Sequence, residues 1–183
     1  MAQLLGKEDT RTARCGEFTA KDIGKTVCVM GWAQRQRDLG SLIFIDLRDR
    51  SGILQLAFDE KTDKEVFDRA FTVRSEYVLL AKGTVRARGE GAVNKKMATG
   101  EIEVAVHELR ILSNSQTPPF AIEENSNVRP ELRLTYRYLD LRNPKVRDNI
   151  VFRSQVIRYL RRKMEDLGFL EIQTPILAAS SPE

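Results

Sequence analysis

The sequence predicts a mainly β first part followed by an α/β second part, and three observations carry that reading. Five strand-like segments run up to Leu112, with one helical segment between the third and the fourth. A polar, proline-containing stretch follows, and beyond it lies an amphipathic helix with recognisable start and stop signals. Five strands with a helix in that place is the order of an OB-fold, a small barrel that commonly binds single-stranded nucleic acid. Another small barrel or a sandwich would share the strand count.

The first strand is read over Thr26 to Trp32, rich in Val and Cys, the second over Leu42 to Leu47 and the third over Ile53 to Phe58. Helical spacing then appears over Asp63 to Val73, where Val66, Ala70 and Val73 share a face. Tyr77 to Val85 is the fourth strand, and Ile102 to Leu112 the fifth, with Ile102, Val104 and Val106 alternating. Gly40-Ser41, Arg50-Ser51-Gly52 and the region from Gly89 to Gly100 supply turns. Ser113 to Pro130 combines polar residues with Pro118, Pro119 and Pro130 and reads as a linker. The expected division is therefore 1–112, a linker over 113–130, and 131–183. In the last part Asn143-Pro144 has the form of an N-cap followed by proline at the first helical position. Ile150, Ile157, Leu160, Met164 and Leu167 recur at helical spacing, and Gly168 is placed to end the helix. Phe169 to Pro175 reads as a strand stopped by proline.

Composition narrows the function classes. The 183 residues are 42% hydrophobic and 31% charged, with 30 basic and 26 acidic groups for a net charge of +4. That is the balance of a globular chain, and it does not by itself announce a nucleic-acid partner. No segment is apolar for the length of a membrane span, and the first ten residues lack the pattern of a secretory signal. Cys15 and Cys28 are too few and too widely spaced for a disulfide scaffold or a CxxC site, so a reducing cytosol is expected. With His107 as the sole histidine there is no ligand set for structural zinc, and no P-loop, HExxH or GxSxG motif is present.

The second strand carries the most informative alternation. Ile43, Ile45 and Leu47 share one side, leaving Phe44 with Asp46 and Arg48 on the other. A ring on a polar sheet face suits stacking of an unpaired base, since every base has a flat face. Burial of that ring in a barrel covered on both faces is the competing reading. Gln55 interrupts an apolar run and offers a donor and an acceptor to a base edge, or serves as a satisfied polar group at a barrel end. Arg35 and Arg37 after the first strand, with Arg86, Arg88, Lys95 and Lys96 around the loop between the fourth and fifth strands, form a candidate phosphate-contacting rim. On the last helix Arg153, Arg158, Arg161, Arg162 and Lys163 would meet RNA or a partner, or simply lie in solvent.

Gly31-Trp32, the stretch from Arg35 through Arg50-Ser51-Gly52, Met97 to Val104, and Leu134 to Arg142 together resemble the bacterial aspartyl-tRNA synthetases, from about Arg14 onward. The resemblance implies a class II enzyme: an OB-fold that grips the tRNA anticodon, a hinge, and the start of a catalytic domain on an antiparallel sheet. It implies ligation of L-aspartate to tRNA(Asp) through aspartyl-adenylate, with ATP and Mg²⁺. The helix from Pro144 and the segment ending at Pro175 resemble motif 1, which implies Pro175 at a homodimer interface. Glu183 matches the glutamate that meets the amino group of aspartate. Phe44 matches the ring stacked on the central anticodon base and Gln55 the amide that pairs with it, with Arg37, Arg86, Asn94 and Glu101 as neighbouring contacts. Leu39 and Gly91 match positions that tune discrimination between tRNA(Asp) and tRNA(Asn): Leu39 resembles the discriminating enzymes, and Gly91 is compatible with the tolerant ones. The implied motifs 2 and 3, which would hold ATP, are not among these residues, so the chain is expected to be an N-terminal portion that is inactive alone and binds no cofactor itself. A standalone OB-fold tRNA-binding module without ligase activity is the alternative.

Overall fold

The computed structural model describes residues 5, 6 and 8–175. The chain divides into two compact units, Met1–Pro119 and Phe120–Glu183. In the first, five strands form a closed barrel: β1 (Thr26–Asp38), β2 (Ile43–Arg48), β3 (Ile53–Phe58), β4 (Val78–Ala87) and β5 (Ile102–Ser113). Around the barrel the order is β1-β2-β3-β5-β4. All pairs are antiparallel except β3 with β5, which run parallel through Leu56 and Val104. This is the OB-fold arrangement, with α1 (Lys64–Thr72) between β3 and β4.

The expected alternation holds in β2, where Ile43, Ile45 and Leu47 are fully buried and join Leu54, Leu56, Phe58, Leu79, Ile102 and Leu109 in one core. The helix α1 begins where Asp63 accepts a hydrogen bond from the Glu65 N–H at 2.8 Å. It closes one end of the barrel with Ala70, beside Val73, while Val66 and Phe67 pack more loosely.

β1 runs six residues past the end expected at Trp32, and the extension contains a bulge. Ala33 pairs with Leu47, but the next partner of Asp46 is Arg35, so Gln34 is the extra residue. An added residue inverts the side-chain alternation that follows it. Arg37 consequently shares the outer face with Phe44, its register partner. Gln36 falls inward, where its amide donates to the carbonyl of Ala70 at 2.8 Å and caps the end of α1.

An N-terminal strap covers the open edge of β1, with the Thr12 N–H donating to the Cys28 carbonyl and the Cys28 N–H to the Thr12 hydroxyl, each at 2.9 Å. Asp9, whose side chain is fully enclosed, meets Lys82 at 3.0 Å and also Arg110. Its carboxyl is lowered from 3.8 to about 2, by the Gly6 N–H first and then by Lys82, with burial opposing and Arg110 adding. The folded chain releases this proton more readily than the unfolded one, so the stabilisation is complete above about pH 4 and is lost as pH falls through about pH 2. In urea titrations the chain should therefore lose stability across that window more steeply than an Asp9→Asn variant. Parallel profiles would show that the strap's ion pairs contribute nothing.

In the second unit the described residues form α2 (Pro130–Thr135), α3 (Arg137–Asp140) and α4 (Pro144–Asp166). Asp140 is buried, and its carboxylate accepts from Arg133 at 2.7 Å and from Arg137. Burial pushes that carboxyl up, but the two guanidinium groups hold it below its ordinary value. Asn143 caps α4 by accepting from the Lys145 N–H at 3.0 Å. At the far end Gly168 takes a left-handed φ of +88°, and the Phe169 N–H returns to the Met164 carbonyl at 3.1 Å, as a helix stop requires. The segment 169–175 is not the strand expected from its sequence. A strand needs a neighbour for its N–H and C=O groups, and none pairs with it among the described residues. Both faces of α4 are exposed, including the apolar Phe152, Leu160 and Leu167 and the five basic residues of the opposite flank.

Candidate nucleic-acid interface

On the outer face of the barrel, the side chains of β1, β2, β3, β5 and β4 form a continuous hydrogen-bonded row. Arg37 donates to Asp46 at 3.1 Å and to the Oε1 atom of Gln55 at 2.8 Å. The Nε2 atom of Gln55 donates to Glu103 at 2.8 Å. Arg86 holds the other oxygen of Glu103 through Nε and reaches Asp59 through a terminal nitrogen, both at 2.8 Å. The Arg86 guanidinium beside Asp59 keeps that carboxyl below the usual carboxylate range.

Phe44 belongs to this face and not to the core. Its ring is half-buried and absent from the core cluster, which decides against the buried-ring reading. The guanidinium of Arg37 sits 5.6 Å from the ring centroid, a cation–π contact. Across the register Phe44 faces Ala57, a side chain too small to cover the ring. Gln55 lies on the same outer face, yet it is only 5% exposed because both ends of its amide are engaged.

The remaining candidates separate from this row. Asn94 and Glu101 line an open cleft with Lys21, Lys95 and Thr99 where the β4–β5 connection meets the barrel. Gly100 shapes that cleft: a Cβ there would stand 1.9 Å from the Asn94 carbonyl oxygen, so only glycine allows the loop to close. Leu39 lies in the β1–β2 turn, 67% exposed, and Gly91 in the short helical turn Glu90–Ala92. Pro175 is exposed. Glu183 lies outside the described residues.

The basic rim needs one correction. Arg88 is buried and its Nε donates to the Ile102 carbonyl at 2.8 Å, so it supports the loop from within. Arg35, Lys95 and Lys96 are exposed. His107 is exposed on β5 and touches none of the row's side chains in the hydrogen bonds described. The sequence reading missed Glu103 and Asp59. The alternation that buries Ile102 and Val104 places Glu103 outward, a signal that was available.

Comparison with known proteins agrees with this geometry. A family model described as an OB-fold nucleic acid binding domain matches residues 27–112, and one for class II tRNA synthetases (D, K and N) matches residues 129–183. An aspartate–tRNA ligase of Ruminiclostridium cellulolyticum is 57% identical over 94% of this chain. The chain belongs to the aspartate–tRNA ligase family. An aspartate–tRNA(Asp/Asn) ligase of Syntrophotalea carbinolica is 53% identical over 100% of the chain. The chain spans 29% and 30% of the lengths of these two relatives. Among solved structures, an asparaginyl-tRNA synthetase from Pyrococcus horikoshii superposes with a TM-score of 0.76 at 26% identity, over 91% of this chain and 38% of its own. An aspartyl tRNA synthetase from Entamoeba histolytica shares the fold with a TM-score of 0.82 at 21% identity, over 93% of this chain and 40% of that one. No described helix is long and apolar enough to cross a membrane.

Proposed function

We propose that the barrel reads the anticodon of tRNA(Asp) and that the chain serves aspartate–tRNA ligation, in which ATP and L-aspartate give aspartyl-adenylate and the acyl group passes to the tRNA. The observation that carries this reading is the outer face itself, where the open ring of Phe44 stands beside the held amide of Gln55. A flat apolar ring next to a fixed donor and acceptor can stack a splayed base and pair with its edge. Arg35, Lys95 and Lys96 supply positive charge for the flanking phosphates. Asn94 and Glu101 would line the place of a neighbouring base, Glu101 accepting from a guanine amino group.

The described residues gather no group of three or more His, Cys, Asp or Glu side chains suited to a metal ion. The motifs that would hold ATP are not among the 183 residues, so no chemical step is assigned to this chain's own groups. Within a complete ligase in the cytoplasm, the apolar flank of α4 and the segment at Pro175 would face a second copy, which fits the exposure of Phe152, Leu160 and Leu167. Glu183 would meet the amino group of aspartate. The division into a barrel over 1–112, a linker over 113–130 and the start of a catalytic domain over 131–183 is part of the same proposal.

Fluorescence anisotropy with labelled RNA tests it. The chain should bind a stem-loop carrying the tRNA(Asp) anticodon saturably and more weakly as salt rises, and should prefer it to a loop of scrambled sequence. With Leu39 as the guide, it should also prefer the loop ending in C to the tRNA(Asn) loop ending in U. Equal affinity for the scrambled loop would overturn the anticodon reading, and equal affinity for the C and U loops would overturn only the specificity.

A further inference from the structure

We propose that Glu103 and Arg37 are positioning residues that lock the amide of Gln55 in one orientation, and that this lock decides which pyrimidine edge the barrel accepts. The proposal rests on the anticodon reading above and adds to it the physical origin of the choice between uracil and cytosine.

A side-chain amide has nearly the same shape when turned by half a revolution, but its donor and acceptor exchange places. Uracil and cytosine differ in the same way. Uracil offers an acceptor oxygen beside an N–H, and cytosine an amino group beside an acceptor nitrogen. A glutamine free to turn would pair with either base, so stacking plus an unconstrained amide gives little selection.

The structure removes that freedom. Oε1 of Gln55 accepts from Arg37 at 2.8 Å, and Nε2 donates to Glu103 at 2.8 Å. A guanidinium can only donate and a carboxylate can only accept. Turning the amide would set N–H against guanidinium and carbonyl against carboxylate, losing two charge-assisted hydrogen bonds together. At 5% exposure Gln55 has little access to water that would replace them. Both clamps are themselves braced, Arg37 by Asp46 at 3.1 Å and Glu103 by Arg86 at 2.8 Å, with Asp59 behind Arg86.

The lock does not exhaust the amide. Two N–H groups and two carbonyl lone pairs are present, and the clamps use one of each. One donor and one acceptor remain, in a fixed order, for the base. Glu103 therefore acts through Gln55 and need not touch the RNA.

The test uses the 183-residue chain, its Glu103→Gln variant and two stem-loops differing only by U or C at the centre of the anticodon. A two-bond base contact gives discrimination of roughly 5- to 150-fold, and the wild-type chain should prefer U by an amount in that range. Glutamine at position 103 has the volume of glutamate but both donates and accepts, so the Gln55 amide can turn. Affinity for the U loop should fall only about twofold, as half the population presents the wrong order, while affinity for the C loop rises and the preference collapses to about threefold or less. A merely structural role for Glu103 would weaken both loops alike and leave the ratio intact. Arg37→Gln breaks the lock from the other side at a more exposed position and should collapse the ratio too, which covers the case of a Glu103→Gln chain that does not fold. An undiminished preference for U in a folded variant, with Phe44→Ala still weakening both loops, overturns the lock alone. Phe44→Ala binding both loops as the wild type does would instead remove the anticodon reading beneath it.

Discussion

A chain carrying Phe44→Ala should bind the tRNA(Asp) anticodon stem-loop about 5- to 150-fold more weakly than wild type while melting at nearly the same temperature. Stacking of one base on an aromatic ring is worth roughly 1–3 kcal/mol by alanine substitution, and each 1.4 kcal/mol is about tenfold in affinity. The melting expectation follows from position. Phe44 projects from the outer face, outside the cluster formed by Ile43, Ile45 and Leu47 on the same strand, so its truncation leaves no cavity in the core. Truncating a buried phenylalanine would instead cost about 3–5 kcal/mol of stability. Arg37, which lies over the ring in the free chain, loses a cation–π contact in the variant but keeps Asp46 and Gln55 as partners. Anisotropy titration and thermal melting of the same preparation separate the two outcomes. Early melting with normal stem-loop affinity in the folded fraction would sink the stacking assignment.

The largest expected effect on stability lies elsewhere, at Arg48. One terminal nitrogen of its guanidinium donates to both oxygens of Glu76 at 2.8 Å, and the two side chains are only 7% and 3% exposed. Glu76 occupies the turn before β4 with a left-handed φ of +66°, and its N–H donates to the Ala33 carbonyl at 2.7 Å, so the pair ties that turn to the end of β2. Arg48→Met leaves a carboxylate buried without its counter-charge, and breaking a buried pair from one side costs about 3–5 kcal/mol. For a barrel of this size the melting temperature should drop on the order of 10 °C or more. The double variant Arg48→Met with Glu76→Gln removes the stranded charge and should recover part of the loss. A double variant no more stable than Arg48→Met alone would show that the penalty comes from packing and not from the unpaired charge.

The barrel was legible in the sequence because its strands are short, bounded by Gly-, Ser- and Asp-rich turns, and alternate over one shared core. Reading β2 from Ile43, Ile45 and Leu47 was enough to put Phe44 outside. The bulge at Gln34 was not legible, since a one-residue insertion leaves no mark in composition and becomes visible only when Ala33 and Arg35 are paired with their neighbours on β2. Its consequence, Arg37 on the outer face, was reached through family resemblance alone. Glu103 escaped for a different reason. Its importance depends on the parallel pairing of β3 with β5, which brings together residues 48 positions apart, and local pattern carries no record of such a pair. The strand expected over 169–175 marks the opposite limit: apolar content was read correctly, but a strand also needs a partner, and local sequence does not contain one.

The order of strands around the barrel also dictates when the nascent chain can complete it. β1 and β2 can form a hairpin early, as can β2 and β3, but β1 gains its second neighbour only with β4, through pairs such as Thr26 with Thr84. β3 remains an open edge until β5 arrives, so closure waits until the chain has been synthesised as far as Ser113. Contacts spanning this much sequence slow folding, and unpaired edges favour aggregation while they last. Cys28 becomes enclosed only when β4 and the N-terminal strap flank β1, and Cys15 is enclosed beside Asp49 at the end of β2. Both thiols are free and buried in the finished barrel. Their accessibility to alkylating reagents on ribosome-bound chains of increasing length thus follows closure of the barrel directly, without any added label.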